Sequence, residues 1–179
     1  MLAGEPAGHY GAVLVDPPWR FETWSDKGRG RSADKHYGIL GDADLSDLGL
    51  AWVCKPDACL FLWTSGPVVP RSLQLMHSWG FAFRTVVFVW TKPGIGLGYW
   101  TRSQAELVLL GTRGKPRRLE RGVRQVLHAP RREHSRKPDE VAERIEQLVA
   151  GPYLELFGRR SRRGWTVLGD EVGKFDGEV

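Results

Sequence analysis

Short apolar runs bounded by turn residues recur along the whole chain. Several of them are continuous rather than alternating, which is typical of strands that are covered on both faces of a sheet. We therefore predict seven strands, at residues 12–15, 58–63, 85–90, 107–110, 125–128, 153–157 and 165–168.

Apolar side chains at helical spacing predict three helices between these strands, at residues 45–53, 72–79 and 138–149. Asp44 is a plausible cap for the first helix, and Gly80 stops the second. The third is the clearest, because Pro138 suits its first turn and its apolar residues form one face. Strands alternating with helices predict an α/β fold with a largely parallel sheet, and we expect residues 1–179 to form one domain.

The composition is that of an ordinary globular protein. No run of about eighteen apolar residues occurs, so we expect no membrane-spanning segment, and the N-terminal residues lack the pattern of a signal peptide. Cys54 and Cys59 do not have the spacing of a zinc site. Two free thiols in a reducing cytoplasm, with no metal, are the expectation.

Positive charge is concentrated in two segments. Residues 113–137 contain ten Lys or Arg and two acids, and four arginines lie at positions 159, 160, 162 and 163. The rest of the chain has twelve basic and nineteen acidic residues, a net charge of −7. Such segments favour contact with the phosphates of a nucleic acid, and solvated loops are the alternative.

The first predicted strand ends in the sequence DPPW, from Asp16 to Trp19. Because prolines fix the backbone, the Asp16 carboxylate and the Pro17 carbonyl are expected to converge as two acceptors, with no amide donor on Pro18. A planar exocyclic amine has two N–H donors that fit this spot. When the two acceptors bind both hydrogens, the lone pair of the amine becomes available for attack. Trp19 offers a face on which the heterocycle stacks. A rigid turn with Trp19 in the core is the alternative.

A polar, glycine-rich segment, GRGRSADKHYG at residues 28–38, follows directly. α/β proteins keep their active sites in loops at the carboxyl ends of strands. We therefore predict that this segment is a loop beside the site.

DPPW resembles the catalytic motif of amino-methyltransferases that act on adenine, and further motifs resemble the MTA family of adenine-N(6) methyltransferases. They are HYG at 36–38, FLWT at 61–64, GYWTRSQAELVLLGTRG at 98–114, REHSRKPDE at 132–140, ELFGR at 155–159 and WTVLGDEV at 165–172. That family includes the catalytic subunit of the eukaryotic mRNA adenosine methyltransferase and bacterial and phage DNA-methylating members. The resemblance implies a Rossmann-like methyltransferase sheet in permuted order, with the DPPW half first and the cofactor half last. It also implies S-adenosylmethionine as cofactor and direct in-line attack of the adenine amine on the sulfonium methyl, without a metal.

The resemblance also implies roles for single residues. Asp16 and Pro17 would hold the target amine, with Asp16 near the methionine end of the cofactor. The remaining cofactor residues would be Lys137, which can pair with the cofactor's carboxylate, and Phe157, Gly158, Arg159, Asp170 and Glu171. An exposed lysine ahead of a helix is the alternative for Lys137. Trp19, Tyr37 and Glu106 would contact the substrate adenine or line its pocket, with structural roles as the alternative for Tyr37 and Glu106.

The chain departs from the family pattern at two places. The eukaryotic enzyme has a His and an Asn shortly after the arginine of ELFGR, where this chain has arginines and a serine at 160–162. The family often has an Asn followed by Gln or Glu after the last strand's glycine, where this chain has Asp170 and Glu171.

We expect the basic segment at 113–137 to leave a strand on the same face as DPPW, so that Arg117, Arg118 and Arg121 contact phosphates. A target adenine must leave its stack to reach Asp16. No separate target-recognition domain is expected, so target choice would come from these loops, a second copy or a partner protein.

The expected function is methylation of the 6-amino group of adenine in DNA. The same reaction on RNA and a non-catalytic nucleic-acid-binding partner of the same fold are the alternatives. A dinucleotide-dependent enzyme is disfavoured, because no Gly-x-Gly-x-x-Gly follows a predicted strand.

Overall fold

Strands and helices alternate in the computed structural model, which describes residues 1–19, 42–96, 98, 100–133 and 136–177. The strands within these ranges are β1 (Tyr10–Val15), β2 (Cys54–Thr64), β3 (Ala82–Thr91), β4 (Ala105–Arg113), β5 (Val126–His128), β6 (Tyr153–Leu156) and β7 (Trp165–Leu168). The helices are α1 (Asp42–Ser46), α2 (Leu50–Val53), α3 (Val69–Ser78) and α4 (Glu140–Leu148), with a 3₁₀ turn at Gly66–Val68.

All seven strands belong to one sheet, in the order β5-β3-β4-β2-β1-β6-β7. The pairs β1/β2, β1/β6, β6/β7 and β3/β5 are parallel, whereas β4 is antiparallel to both of its neighbours, β2 and β3. The predicted α/β class and the seven predicted strands are confirmed. The permuted order of the two halves stays a prediction.

The sheet is covered on both faces, as the continuous apolar runs predict. On one face, Val13 and Leu60 belong to a core cluster that includes Met76 of α3. On the other face, Leu14 and Phe61 belong to a cluster that includes Ile145 of α4. Every residue of β1 is therefore buried, which makes this central strand a rigid support for the residues that follow it.

The helices differ from the prediction in their ends and in one break. The predicted helix at 45–53 is two short helices, because Gly49 has a left-handed backbone with φ of 70° between them. α3 begins three residues earlier than predicted, with a proline in its first turn. α4 begins at Glu140 with Asp139 as its N-cap, so Pro138 lies just outside the helix.

The direction of β4 decides where the basic segment lies. We call the side of the sheet where β1 and β6 end the carboxyl edge, and the opposite side the amino edge. Since β4 is antiparallel to β2, its first residues lie at the carboxyl edge, and its last residue, Arg113, pairs with Ala58 near the amino edge. The Leu119 amide then donates to the Leu148 carbonyl at the end of α4.

The segment after β4 therefore leaves from the amino edge, and the expectation that it leaves on the side of DPPW is wrong. Arg117, Arg118 and Arg121 are exposed on that distant side. The apolar pattern of a strand does not encode its direction, so the sequence could not show at which edge of the sheet this segment begins.

Candidate active site

A cleft lies at the carboxyl edge, between the residues after β1, the start of α4 and the loop after β6. The empty space within it, including its open mouth, is about 530 Å³. It is lined by Leu14, Asp16, Trp63, Arg136, Lys137, Pro138, Asp139, Val141, Ala142, Glu155, Phe157, Gly158, Arg159, Arg160, Arg162 and Phe175.

The cleft brings together Asp16, Lys137, Phe157, Gly158 and Arg159, all predicted as cofactor residues. The other three predicted cofactor residues do not line it. Pro17 is buried beside it and Asp170 is exposed. Glu171 lies behind Arg159, with 3.9 Å between its Oε2 and the arginine Nη1. Tyr37 and the HYG motif lie outside the described residues.

Asp16 stands at one end of a row of alternating charges, which we call the charged row: Asp16, Lys137, Glu106 and Lys92. Lys137 Nζ lies 2.9 Å from Asp16 Oδ2 and 3.4 Å from Glu106 Oε2. Lys92 donates to the other oxygen of Glu106. Both oxygens of Glu106 are therefore bound by lysines, which favours the structural alternative for this residue over contact with the substrate.

The charged row stabilises its own ionised state. Burial acts to raise the pKa of Glu106, but the charges of Lys137 and Lys92 outweigh it and the net shift is downward. Burial acts likewise to lower the pKa of Lys137, but Asp16 and Glu106 outweigh it and the pKa is raised. The lysines also lie over aromatic rings, Lys137 at 5.4 Å from the centre of Trp63 and Lys92 at 4.2 Å from that of Trp90.

The DPPW turn holds Trp19 in the core. The Trp19 amide donates to the Pro17 carbonyl at 2.8 Å, and the indole Nε1 donates to the carbonyl of Trp63 at 3.1 Å. Only 6% of Trp19 is exposed, which favours its packing role over a stacking face for a base. The Pro17 carbonyl keeps a second lone pair, so its contact with an amine stays a prediction, as does any role of the half-buried Pro18.

Asp139, at the start of α4, is surrounded by arginines from two loops. Its carboxylate accepts hydrogen bonds from Arg132 and Arg160, both at 3.0 Å, and from Arg162 at 3.1 Å. Burial acts to raise the pKa of Asp139, but these guanidinium groups outweigh it and the pKa is lowered. The sequence analysis identified the basic segments that supply these arginines but did not identify Asp139 as their partner. The signal for it was an acid that lies just after the first basic segment.

Glu155 is a third acid that lines the cleft, and its Oε2 atom is buried. Burial raises its pKa to about 7, with a further upward contribution from Asp16 and Asp139 and an opposing one from Arg162. Arg162 Nε lies 4.0 Å from Glu155 Oε2, and neither atom has a hydrogen-bond partner among the described residues. An acid within an otherwise apolar strand was the sequence signal for this residue.

The loop after β6 passes very close to the end of β7. Phe157 has a left-handed backbone with φ of 61°, which is uncommon for a residue other than glycine and costs on the order of 1–3 kcal/mol. A Cβ on Gly158 would lie 2.3 Å from Val167 Cγ1, so only glycine fits there. The loop backbone is thereby held against β7 with Phe157 at the cleft wall.

The donor set of the cleft fits a ligand that carries both an ammonium and a carboxylate. The buried Glu155 oxygen can accept from the ammonium, and the buried Arg162 Nε can donate to the carboxylate, while Asp16 adds a negative charge nearby. No three His, Cys, Asp or Glu side chains of the described residues form a group that could hold a metal ion. No helix in the described ranges is long and apolar enough to cross a membrane.

An α/β sheet that carries an Asp-Pro-Pro turn on its central strand, beside a cleft lined by charges of both signs, is consistent with the fold of S-adenosylmethionine-dependent methyltransferases. The chain belongs to the MT-A70 family, whose model matches residues 10–171. Members of this family are adenine-N(6) methyltransferases, and S-adenosylmethionine is their methyl donor.

Two kinds of protein are among the known proteins similar to this chain. The type II methyltransferase M.MunI of a Mycoplasma species is 35% identical over 185 residues, which cover 93% of this chain and 79% of that protein. The zebrafish N(6)-adenosine-methyltransferase subunit METTL3 and the human catalytic subunit METTL3 are each 29% identical over 177 residues. Those matches cover 92% of this chain but only 28% of either relative.

The buried Glu155 carboxyl makes folding stability depend on pH. Its pKa in the folded protein, about 7, lies above the ordinary value of 4.5, so between these pH values the folded state holds more protons than the unfolded state. The free energy of unfolding therefore falls as pH rises through this window. In Glu155→Gln this contribution is absent. Urea unfolding at pH 5 to 8 should show the wild type losing on the order of 3 kcal/mol relative to the variant. Parallel curves for the two proteins would contradict the assignment.

Proposed function

We propose that this chain transfers a methyl group to the 6-amino group of adenine in DNA. The observation that carries the proposal is the Asp16 carboxylate at the wall of the cleft. Lys137 binds its Oδ2 at 2.9 Å, so the acceptor for an amine N–H is Oδ1. A carboxylate held in this way stabilises the positive charge that develops on the amine during transfer.

S-adenosylmethionine supplies a methyl group that is activated by a positive sulfonium. We propose that Arg162 and Glu155 hold the cofactor's amino-acid tail, with Arg162 donating to the carboxylate and Glu155 accepting from the ammonium. Among the described residues, Arg162 Nε and Glu155 Oε2 have no hydrogen-bond partner, which supports this assignment. Phe157 and the close-packed Gly158 would form the adjoining wall, and Arg159 the rim.

The identities of the relatives support DNA over RNA. The type II methyltransferase is 35% identical to this chain, whereas the zebrafish and human METTL3 proteins are 29% identical. Methylation of adenosine in RNA is the second candidate, because METTL3 proteins match 92% of this chain.

The nucleic acid is proposed to approach at the carboxyl edge. Arg102 lies in the connection from β3 to β4, and Arg131 follows β5, so both exposed cations lie at the same edge of the sheet as the cleft. Arg131 also reaches that connection, because a Cβ on Gly96 would lie 2.6 Å from its Nη2. Arg117, Arg118 and Arg121, at the amino edge, could contact only a nucleic acid that extends past the sheet.

A second subunit is proposed to complete target recognition. Ile95 is 71% exposed and Trp100 is 99% exposed in the same β3–β4 connection. Two large exposed apolar side chains in one connection support an interaction surface there. We also propose that the protein works in the cytoplasm, where its buried, free Cys54 and Cys59 would stay reduced.

The reaction can be identified from its product. Purified protein with labelled S-adenosylmethionine and matched single- and double-stranded DNA and RNA should yield N(6)-methyladenine in DNA by mass analysis of the nucleosides. Asp16→Asn should lower the rate by about a hundredfold or more, because the amide has lost the charge that the transition state needs. Asp47→Asn, an exposed acid between α1 and α2, is the matched control. Methylated RNA with unmodified DNA would establish the second candidate, and a fully active Asp16→Asn would remove Asp16 from the mechanism.

The cofactor tail gives a binding test that does not depend on activity. Calorimetry with S-adenosylhomocysteine should show about ten- to a hundredfold weaker binding to Arg162→Gln, because a hydrogen bond to a charged group is lost. Binding of 5′-methylthioadenosine, which lacks the amino-acid tail, should be unchanged. Arg163→Gln, an exposed neighbour that does not line the cleft, should bind both ligands like the wild type. Equal losses for both ligands in Arg162→Gln would contradict a contact with the tail.

The route of the nucleic acid can be read from the salt dependence of binding. Replacing both Arg102 and Arg131 with alanine should reduce the slope of log affinity against log salt by about two, since each phosphate contact contributes roughly one unit. Replacing Arg117, Arg118 and Arg121 should change the slope less on a short duplex centred on the target adenine. The opposite order would place the duplex along the amino edge instead.

A further inference from the structure

Lys92 is a charged residue next to the site that does not line the cleft. It follows β3 directly, and its amide donates to the Gln104 carbonyl at 2.8 Å, so its backbone is anchored across the β3–β4 connection. Its side chain is 11% exposed and lies over Trp90. A lysine is rarely buried to this degree without a partner, and its partner is Glu106.

Glu106 transmits the position of Lys92 to the cleft. It accepts from Lys92 with one oxygen and lies 3.4 Å from Lys137 with the other. Lys137 is in turn shared with Asp16, whose oxygen is nearer at 2.9 Å. The position of the Lys137 ammonium between the two carboxylates therefore depends on how much of the Glu106 charge is neutralised by Lys92.

Loss of Lys92 would change that division. Glu106 would keep Lys137 as its cation from the charged row, and an uncompensated carboxylate in a partly buried site attracts a neighbouring ammonium strongly. Lys137 would then move toward Glu106 and away from Asp16. Asp16 would lose the contact that orients its carboxylate and leaves Oδ1 for the amine.

We infer that Lys92 is a positioning residue for methyl transfer, which acts through Glu106 to keep Lys137 on Asp16. The inference rests on the proposed role of Asp16 in binding the target amine. It assigns no contact between Lys92 and either the cofactor or the substrate. It predicts a defect in the chemical step rather than in the binding of either ligand.

The test compares Lys92→Met with Lys92→Arg, which keeps the charge. Lys92→Met should lower kcat by about tenfold, roughly the effect of one lost charged contact in the transition state, while KM values and the Kd of S-adenosylhomocysteine stay within about twofold. Lys92→Arg should restore most of the rate. Arg84→Met removes an exposed cation from the other end of β3 and should behave like the wild type.

A double variant separates action through Glu106 from an independent effect. In a Glu106→Gln background, Lys92→Met should cause no further loss of kcat, since the carboxylate on which Lys92 acts has gone. Additive losses, an unchanged kcat in Lys92→Met, or a raised KM at unchanged kcat would each overturn the inference.

A measurement without substrate keeps this test distinct from that of the proposed function. The side-chain amine of Lys137 should give a protected ¹⁵N resonance that shifts or disappears in Lys92→Met and is retained in Lys92→Arg and Arg84→Met. An unchanged resonance in Lys92→Met would overturn the inference even if the wild type methylates DNA. A wild type that methylates neither DNA nor RNA would instead overturn the proposed function.

Discussion

The contact between Lys137 and Asp16 joins the two parts of the chain from which the site is built. Asp16 follows the central strand β1, and Lys137 precedes α4, which packs on one face of the same sheet. Neither charge would be stable at this position alone, because partial burial disfavours an unpaired ion. The charged row therefore requires β1, α4 and β4 to be in place together, with β2 between the two strands. Formation of the site is in this sense a consequence of completing the fold.

The other charged residues of the cleft are also paired with opposite charges, but not all of them are matched. Asp139 accepts hydrogen bonds from three arginines, whereas Glu155 Oε2 and Arg162 Nε have no hydrogen-bond partner in the part of the chain that the structure describes. A site whose charges were all matched would have little to offer a ligand. In the proposed cofactor site, this partial match would favour a molecule that carries both signs of charge. The left-handed backbone at Phe157 places that residue at the wall of the cleft.

The sequence was a good guide to elements and motifs and a poor guide to directions and partners. The apolar runs predicted all seven strands, and DPPW, SRKPDE and ELFGR each supplied residues of the cleft. Apolar patterns could not reveal that β4 runs antiparallel to β2. For this reason Arg117, Arg118 and Arg121 were predicted at the wrong edge of the sheet. Ion pairs between residues far apart in the sequence could not be predicted either. Glu106 and Lys137, for example, become neighbours only when the sheet and α4 have assembled. Trp19 shows a third limit, because a ring after a rigid turn can point into the core as easily as into a site.

The reversed strand β4 has a consequence for how this fold can change its target. Because β3 ends and β4 begins at the carboxyl edge, the residues between them form a hairpin loop beside the cleft rather than a crossover around the sheet. A loop of that kind can lengthen, shorten or exchange its side chains while every strand keeps its neighbours. Changes in this loop, where Trp100 is exposed, would therefore alter contacts with the substrate and leave the residues of the cleft in place.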